Sequence, residues 1–421
     1  MNGERTSVGL DVHARSVVAC GIDDETGELF RARLSPQPET ILAWLRQLPG
    51  PVAVTYEAGP TGYGLARVLS EHAVRCVVAA PSKLQRPSGD RVKTDARDAL
   101  LLARLLRLGE IVPVTVPTVA QEAARDLVRA REDVRGDLMR ARHRVSKLLL
   151  RQGIVWSGGT AWTVAHHDWL RRQSFTQPSL NIAYDSALEM VLLTADRRDR
   201  LDVAIVEAAG DPTWSPVVAN LSCLRGVSTL TAFGLAVEIG DWSRFTGSTI
   251  GAFLGLVPTE YSSGASRSQG SITKTGNGHA RRLLVEAAWQ HRRPYRTPSK
   301  VMRARWAQAP AAARARGHAG NQRLHQRWLS FQDRKKKPVV ANVAVARELA
   351  GWCCPWPCSI PPTLPPDQAA PLKQGPAGRG GGSAWSPPAM PTMSSRRRRK
   401  LLRHARSLDQ RSAPAEQPVL R

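Results

Sequence analysis

The sequence lacks any run of 18 or more apolar residues, which argues against a helix that spans a membrane. No secretory signal precedes the first strand pattern. Cysteine is scarce. Three of the six cysteines stand alone in apolar surroundings, and the other three, within residues 353–358, lack the second ligand pair of a zinc site. These absences predict a cytoplasmic protein of a reducing compartment with no membrane partner.

Acidic residues are also few, since 35 Asp and Glu stand against 60 Lys and Arg. The formal charge is +25 and the isoelectric point is near 11.0. Such a charge predicts a polyanionic partner, and nucleic acid is the first candidate. Hydrophobic residues still make up 42% of the chain, which is enough for globular domains. A chain of 421 residues is too long for one ordinary core, so two or three domains are expected.

Four acidic residues stand out in the first hundred positions. The hydrophobic pattern there predicts the order β-β-β-α-β-α-β-α, which is a mixed sheet with helices packed on it. Asp11 interrupts an apolar strand and Glu57 ends a buried one. Thr94 is a predicted N-cap, and Asp95 and Asp98 then share one face of a helix. Such a sheet can bring the four carboxylates together, where Mg²⁺ would relieve their repulsion. The residues alone also allow a turn-capping Asp11 and, for Asp95 and Asp98, an exposed helix start suited to the helix dipole.

The middle of the chain is predicted to be helical. A long helix spans Val119–Gln152, with apolar residues at a and d positions and basic flanks, and Ser186–Ala209 is a second helix. The pair indicates an antiparallel or dimeric coiled-coil arm, although a lone amphipathic helix fits as well. Trp156–Trp169 is predicted as an irregular connector. Leu221–Gly240 has the shape of a helix-hairpin-helix, in which the turn around Gly226 presents helix amides to a phosphate.

A polar segment at residues 259–277 is rich in glycine and hydroxyl groups, and a basic helix closes it. Its composition suits contact with phosphate, although a flexible surface turn would have the same composition. Further basic helices are predicted at Glu286–Ala313 and Gln322–Trp328. The predicted nucleic-acid-binding residues are Lys93, Arg267, Lys274, Asn277, Arg281 and Arg282. Beyond residue 351 the sequence becomes rich in proline, glycine and arginine, which predicts a disordered tail.

Seven motifs, spread over about residues 7–350 and in a fixed order, resemble the transposases of the IS110 class of bacterial insertion sequences. The N-terminal motifs are Leu10-Asp-Val-His, Tyr56-Glu-Ala-Gly-Pro-Thr-Gly-Tyr and Lys93-Thr-Asp-Ala-Arg-Asp-Ala, and the C-terminal motifs are Leu224-Arg-Gly-Val-Ser-Thr-Leu-Thr-Ala, Phe253-Leu-Gly-Leu-Val-Pro, Ser262-Ser-Gly and Ile272-Thr-Lys-Thr-Gly-Asn.

The resemblance implies an α/β fold class: an RNase H/RuvC-like mixed sheet with helices, then a coiled-coil helical arm and a mostly α-helical domain that contains the helix-hairpin-helix. The domains would be residues 1–115, the RuvC-like catalytic domain; 116–210, the arm; 211–350, the serine-bearing transposase domain; and 351–421, the tail. The implied catalytic residues are Asp11, Glu57, Asp95, Asp98 and Ser263. The first four would hold Mg²⁺ or Mn²⁺. Ser262 adjoins Ser263, and the sequence leaves a shift of the nucleophile by one residue open.

The implied activity is the cutting and rejoining of double-stranded DNA, guided by a structured non-coding RNA. The implied protein is a nucleoid-associated homo-oligomer, either a dimer or a tetramer. Two other hypotheses stay open. One is a two-metal nuclease that uses only the carboxylates and forms no covalent intermediate. The other is a decayed transposase that still binds nucleic acid. The sequence departs from the family in two places. Ser228 replaces a common glycine, which would weaken a phosphate contact of the hairpin. The sequence of the tail is unlike the family, and this departure bears on the last hypothesis.

Overall fold

A computed structural model of the chain describes residues 4–85, 94–264, 266 and 268–354. The chain forms two compact units, the first up to Val119 and the second from Ala120. The predicted nucleic-acid-binding residues Lys93 and Arg267, and almost all of the predicted tail, lie outside the described residues. Within the described parts, no helix is both long and apolar enough to cross a membrane.

The first unit contains a mixed sheet of five strands in the order β3-β2-β1-β4-β5. Strands β1 to β3 are antiparallel to one another, whereas β4 is parallel to both β1 and β5. The predicted order of strands and helices is confirmed. The elements are β1 (Thr6–Val12), β2 (Val17–Asp23), β3 (Leu29–Leu34), α1 (Pro38–Leu45), β4 (Val52–Glu57), α2 (Gly64–Glu71), β5 (Arg75–Ala79) and α3 (Asp95–Arg107).

Helices cover the two faces of this sheet differently. Side chains alternate along a strand, so Val8 and Leu10 of β1 enter the core that α1 and α2 cover, together with Tyr56 and Leu69. The opposite face carries α3, which packs across β1, β2 and β4. The alternation therefore assigns Asp11 of β1 to the side of the sheet on which α3 lies.

The second unit is mostly helical and contains one small two-stranded sheet within the described residues. Its elements are α4 (Val119–Arg151), α5 (Val164–Arg171), α6 (Pro178–Ala208), α7 (Ser215–Leu221), α8 (Thr229–Ile239), α9 (Thr249–Phe253), β6 (Pro258–Glu260), β7 (Gln269–Ile272), α10 (Gly278–Ala288), α11 (Lys300–Trp306), α12 (Ala311–Asp333) and α13 (Pro338–Cys353).

The long helix α4 pairs with α6 in opposite directions. Arg131, early in α4, forms an ion pair with Asp202, late in α6, at 2.7 Å. Later α4 residues such as Val145 share a core with early α6 residues such as Tyr184. The predicted long helix is thus present, whereas a supercoiled or dimeric arm stays a prediction. The connector prediction was wrong in part, because α5 forms where an irregular segment was expected, with the Thr163 side chain capping its start.

The segment Leu221–Gly240, predicted as a helix-hairpin-helix, contains the turn that follows α7 and then α8, and the motif itself stays a prediction. Gly226 in this turn has a φ of +83°, and a Cβ there would collide with the backbone of Ala287 in α10. Close packing against α10 thus accounts for the glycine, and phosphate binding by this turn stays a prediction. At the other end of the unit, α13 continues through Cys353, and Cys354 is buried beside Trp242. Residues 351–354, the first four of the predicted tail, thus belong to the fold.

Candidate functional site

The start of α3 lies against the end of β1 because Gly9 leaves room for it. A Cβ at Gly9 would collide with the backbone of Ala99 and Ala103 and would lie 2.8 Å from the Cβ of Leu102. No larger residue fits between this strand and helix without displacing one of them. The Thr94 side chain accepts a bond from the Arg97 amide and fixes where the helix begins, as predicted. Together these contacts bring the first turn of α3 close to the end of β1.

Two of the predicted carboxylates meet at this junction, with a histidine between them. The His13 Nε2 atom is 3.2 Å from an Asp11 carboxylate oxygen and 3.8 Å from one of Asp95. Ligand atoms of the three side chains lie within 4.8 Å of one another. Asp11 is mostly buried, whereas about half of the His13 and Asp95 side chains is exposed, so the group opens to solvent.

Glu57 and Asp98 flank this group. Leu10 pairs with Tyr56 in the parallel ladder of β1 and β4, so Asp11 and Glu57 are the next residues on adjacent strands, about 5 Å apart along the sheet. Asp98 lies one helical turn after Asp95 and is buried. Both side chains make further interactions. All four predicted acidic residues are therefore on the neighbouring ends of β1, β4 and α3.

The donor set fits a divalent cation. Carboxylate oxygens suit Mg²⁺ and Mn²⁺, and an imidazole nitrogen is a common transition-metal ligand. His13 was not among the predicted site residues. A signal for it was present, because His13 is two residues after Asp11 and directly follows the end of β1.

Ser263 lies at the tip of a β-hairpin that we call the serine hairpin, formed by β6, β7 and residues 261–268 as far as they are described. The polar segment was predicted as a loop, and its strands were missed. The amides of Ser263 and Ser266 each donate to the carbonyl of the other, at 3.1 and 3.0 Å. Gly264 follows with a φ of +54°, which favours glycine, and residues 261–264 are all exposed.

The two adjacent serines differ in their surroundings. The Ser262 hydroxyl donates to a Glu260 carboxylate oxygen at 2.9 Å, and Gln269 donates to the other oxygen at 3.1 Å. A carboxylate that accepts a hydroxyl proton is what activates an oxygen nucleophile. Glu260 is thus a second residue that the sequence interpretation missed, and it stands beside Ser262 rather than Ser263.

Three predicted nucleic-acid-binding residues of the second unit form bonds within the fold. Asn277 caps α10, Arg281 donates to the carbonyls of Leu254 and Thr275 at 2.9 and 2.8 Å, and Arg282 pairs with Glu132 and Glu286. Lys274 is exposed in a left-handed conformation with a φ of +56°. These arginines therefore fix the segment between the serine hairpin and α10.

A buried carboxylate holds the end of this segment. Glu238 of α8 accepts two bonds from Arg129 at 2.9 Å, one from Asn277 at 2.7 Å and one from His279 at 2.9 Å. Burial would raise the pKa of the Glu238 carboxyl, but the hydrogen bonds from His279, Arg129 and Asn277 outweigh it and hold the pKa at about 2. The start of α10 is thus tied to α4 and α8 by an ionised group.

Two family models match the chain. One, described as a transposase and named for the DEDD transposases of IS110, matches residues 8–153; the other, described as the transposase family of IS116, IS110 and IS902, matches residues 218–306. A putative transposase of Sinorhizobium fredii is 37% identical over 353 residues, which cover 82% of this chain and 86% of the relative. The transposase for an insertion sequence of Leptospira borgpetersenii is 32% identical over 338 residues, covering 78% and 97%.

Proposed function

The chain belongs to the IS110 family of insertion-sequence transposases, enzymes that cut and rejoin DNA, and on that premise we propose how its residues divide the reaction. The carboxylates Asp11, Glu57, Asp95 and Asp98 would hold Mg²⁺ or Mn²⁺ at the end of the sheet. The serine hairpin supplies the hydroxyl that attacks a DNA phosphodiester.

The observation that supports this proposal most directly is the group formed by Asp11, His13 and Asp95. Two carboxylates and an imidazole converge within 4.8 Å, at a position open to solvent and hence to a DNA strand. A bound divalent cation there would neutralise charge on the phosphate oxygens of the strand being cut. His13 separates the two carboxylates and orients Asp11 through their contact.

The serine step follows from the chemistry of phosphoryl transfer. As a serine oxygen bonds to the phosphorus of the scissile phosphate, the bond from phosphorus to one sugar oxygen breaks and that oxygen takes a proton. The serine proton passes to a nearby base, and the covalent phosphodiester that results conserves the bond for rejoining. The family resemblance favours Ser263 as the nucleophile, whereas the bond to Glu260 favours Ser262.

We further propose that a structured RNA pairs with donor and target DNA, so that base pairing reads sequence while the protein holds backbone. The charge of +25 suits two polyanions at once. The protein would work at the bacterial nucleoid as a dimer or tetramer.

A trapping assay tests the division of labour. Protein would be incubated with DNA of its own element ends, the RNA encoded beside it and Mg²⁺, and the products separated on a denaturing gel. We expect a covalent protein–DNA adduct that Asp11→Asn and Ser263→Ala both abolish. Loss of the adduct in Ser262→Ala and its retention in Ser263→Ala would move the nucleophile to the serine beside Glu260.

Hydrolysis without a covalent intermediate is the second candidate function, because the Asp11, His13 and Asp95 group forms entirely within the first unit. It predicts cleavage that survives replacement of both serines and ceases in Asp11→Asn. Cleavage of this kind, with no adduct at any time, would replace the serine mechanism.

A further inference from the structure

A groove runs along the sheet of the first unit beside the Asp11, His13 and Asp95 group. Its floor is formed by β2 and β3 and its wall by the first turn of α3, including Thr94 and Asp95. Arg31 and Arg33 of β3 line it, and both are exposed. We call it the β2–β3 groove. These two arginines are not among the residues proposed above for catalysis.

The strand register places these arginines relative to the carboxylates. Asp11 pairs with Val18 and Val18 with Arg33, so the three side chains form one row across the sheet on the face that carries α3. Gly9, Cys20 and Arg31 form the next row. Neighbouring strands lie about 4.8 Å apart, so Arg33 and Asp11 are about 10 Å apart at their backbones, and the long arginine side chain shortens that separation.

The charges of the groove change sign along its length. The guanidinium groups of Arg31 and Arg33 stand on the β3 side, and Asp95 marks the end that joins the metal-binding group. Phe30, Ala32 and Leu34, at the alternate positions of β3, face the other way, so the sequence Arg31-Ala-Arg33 presents both arginines on the groove side. Planar guanidinium groups bind phosphate oxygens through paired hydrogen bonds.

We propose that the β2–β3 groove binds the backbone of the DNA strand being cut, with Arg31 and Arg33 holding phosphates next to the one at the carboxylates. This assignment rests on the proposed function and adds two positioning residues to it. The arginines attract the strand at one end of the groove, and the carboxylates accept a phosphate only with a cation. The strand is therefore held in a single direction relative to the reacting phosphate.

An arginine footprint tests the assignment without turnover. Full-length protein would be treated with phenylglyoxal, with and without a single-stranded DNA oligonucleotide of mixed sequence in Ca²⁺, and modified arginines would be located by mass spectrometry. We expect DNA to protect Arg31 and Arg33. Arg46, exposed at the end of α1 on the opposite face of the sheet, is the internal control and should stay reactive. Unchanged reactivity of Arg31 and Arg33 would overturn the assignment, as would protection by RNA of the same sequence and not by DNA.

A substitution gives a second, quantitative readout. Each phosphate contact to a single strand contributes about 0.7 to the slope of log affinity against log salt, so the pair Arg31→Gln and Arg33→Gln should lower that slope by about 1.4. Arg46→Gln should leave the slope unchanged, and lysine at both groove positions should restore it. An unchanged slope in the double variant would count against the groove.

The two proposals fail in different ways. If Asp11→Asn stops cleavage while the double arginine variant cleaves with unchanged KM and shows an unchanged salt slope, the proposed function stands and the groove assignment falls. If wild-type protein does not cleave DNA but protects Arg31 and Arg33 when DNA is bound, the groove binds DNA and the proposed reaction is wrong.

Discussion

Glu238 carries a negative charge into the interior of the second unit, and replacing it with glutamine tests how much the fold depends on that charge. Its pKa of about 2 lies well below the ordinary value of 4.5. This difference corresponds to about 3 kcal/mol in favour of the ionised form. Glu238→Gln keeps the shape of the side chain but leaves Arg129 and His279 without their anion. We therefore expect the free energy of unfolding at pH 7 to fall by about 3 kcal/mol.

Urea unfolding followed by tryptophan fluorescence suits this measurement, because Trp44 is the only tryptophan before residue 120 and the signal reports the second unit. With a denaturant dependence of about 2–3 kcal/mol per molar, the midpoint should fall by about 1 M. Glu286→Gln is the matched control. Glu286 is an exposed partner of Arg282, and exposed pairs contribute less than about 1 kcal/mol.

The pH dependence gives the same prediction a second check. The folded-state pKa of Glu238 is lowered, so its contribution is complete above about pH 4.5 and is lost as the pH falls toward 2. The difference between wild type and Glu238→Gln should therefore shrink below pH 4.5. Equal midpoints for Glu238→Gln and Glu286→Gln at pH 7 would refute the reasoning, since the buried carboxylate would then contribute no more than an exposed one.

Three further predictions concern single positions. Burial lowers the pKa of His291 to about 3, so below about pH 6.5 the unfolded chain binds a proton that the folded chain excludes. The free energy of unfolding should therefore fall below pH 6.5 by at most about 1.4 kcal/mol per pH unit. His291→Leu should flatten this fall in urea titrations. Gly9→Ala should displace α3, lower the stability by about 1–3 kcal/mol in thermal unfolding and stop cleavage, whereas Gly21→Ala, whose Cβ would meet nothing closer than 3.4 Å, should do neither. His13→Ala should weaken Mn²⁺ binding about tenfold in a paramagnetic-resonance titration, and equal loss in His72→Ala would contradict a local role.

The elements that the sequence predicted well are those with local signals. The N-cap Thr94 and the apolar periodicity of Val119–Gln152 identified α3 and α4, because capping and amphipathicity are properties of a few neighbouring residues. The first half of α12 was missed, because residues 314–321, which contain Gly317 and Gly320, fall between the predicted helices Glu286–Ala313 and Gln322–Trp328. A Cβ at Gly317 would lie 2.5 Å from the Cβ of Cys223, so the glycine there serves close packing that no local pattern reveals.

The elements that were missed depend on contacts between distant or weakly patterned residues. Helix α5 is short, and ring contacts support it: His166 stacks on Trp169, and Trp156 packs against both at an angle. The serine hairpin has exposed polar strands, so no alternation of apolar side chains marks it, and backbone bonds such as Tyr261 to Ser268 define it instead. The acidic residues were easier, since strand ends and a helix start can be placed from sequence and converge in an α/β sheet.

Basic residues show most clearly what composition cannot predict. Arg281 and Arg282 lie in the helix that closes the segment whose glycines and hydroxyl groups suggested phosphate. Carbonyls and carboxylates of the same unit nevertheless accept their hydrogen bonds. Whether a guanidinium group binds its own fold or a partner depends on which acceptors lie within reach, and folding alone determines that. Arg31 and Arg33 also have neighbours within the fold, since Arg33 donates to the Ser16 hydroxyl at 3.4 Å and Arg31 lies beside Cys20. The pairing register still directs both side chains to the groove, so the register, rather than the number of arginines, makes them the stronger candidates for DNA contact.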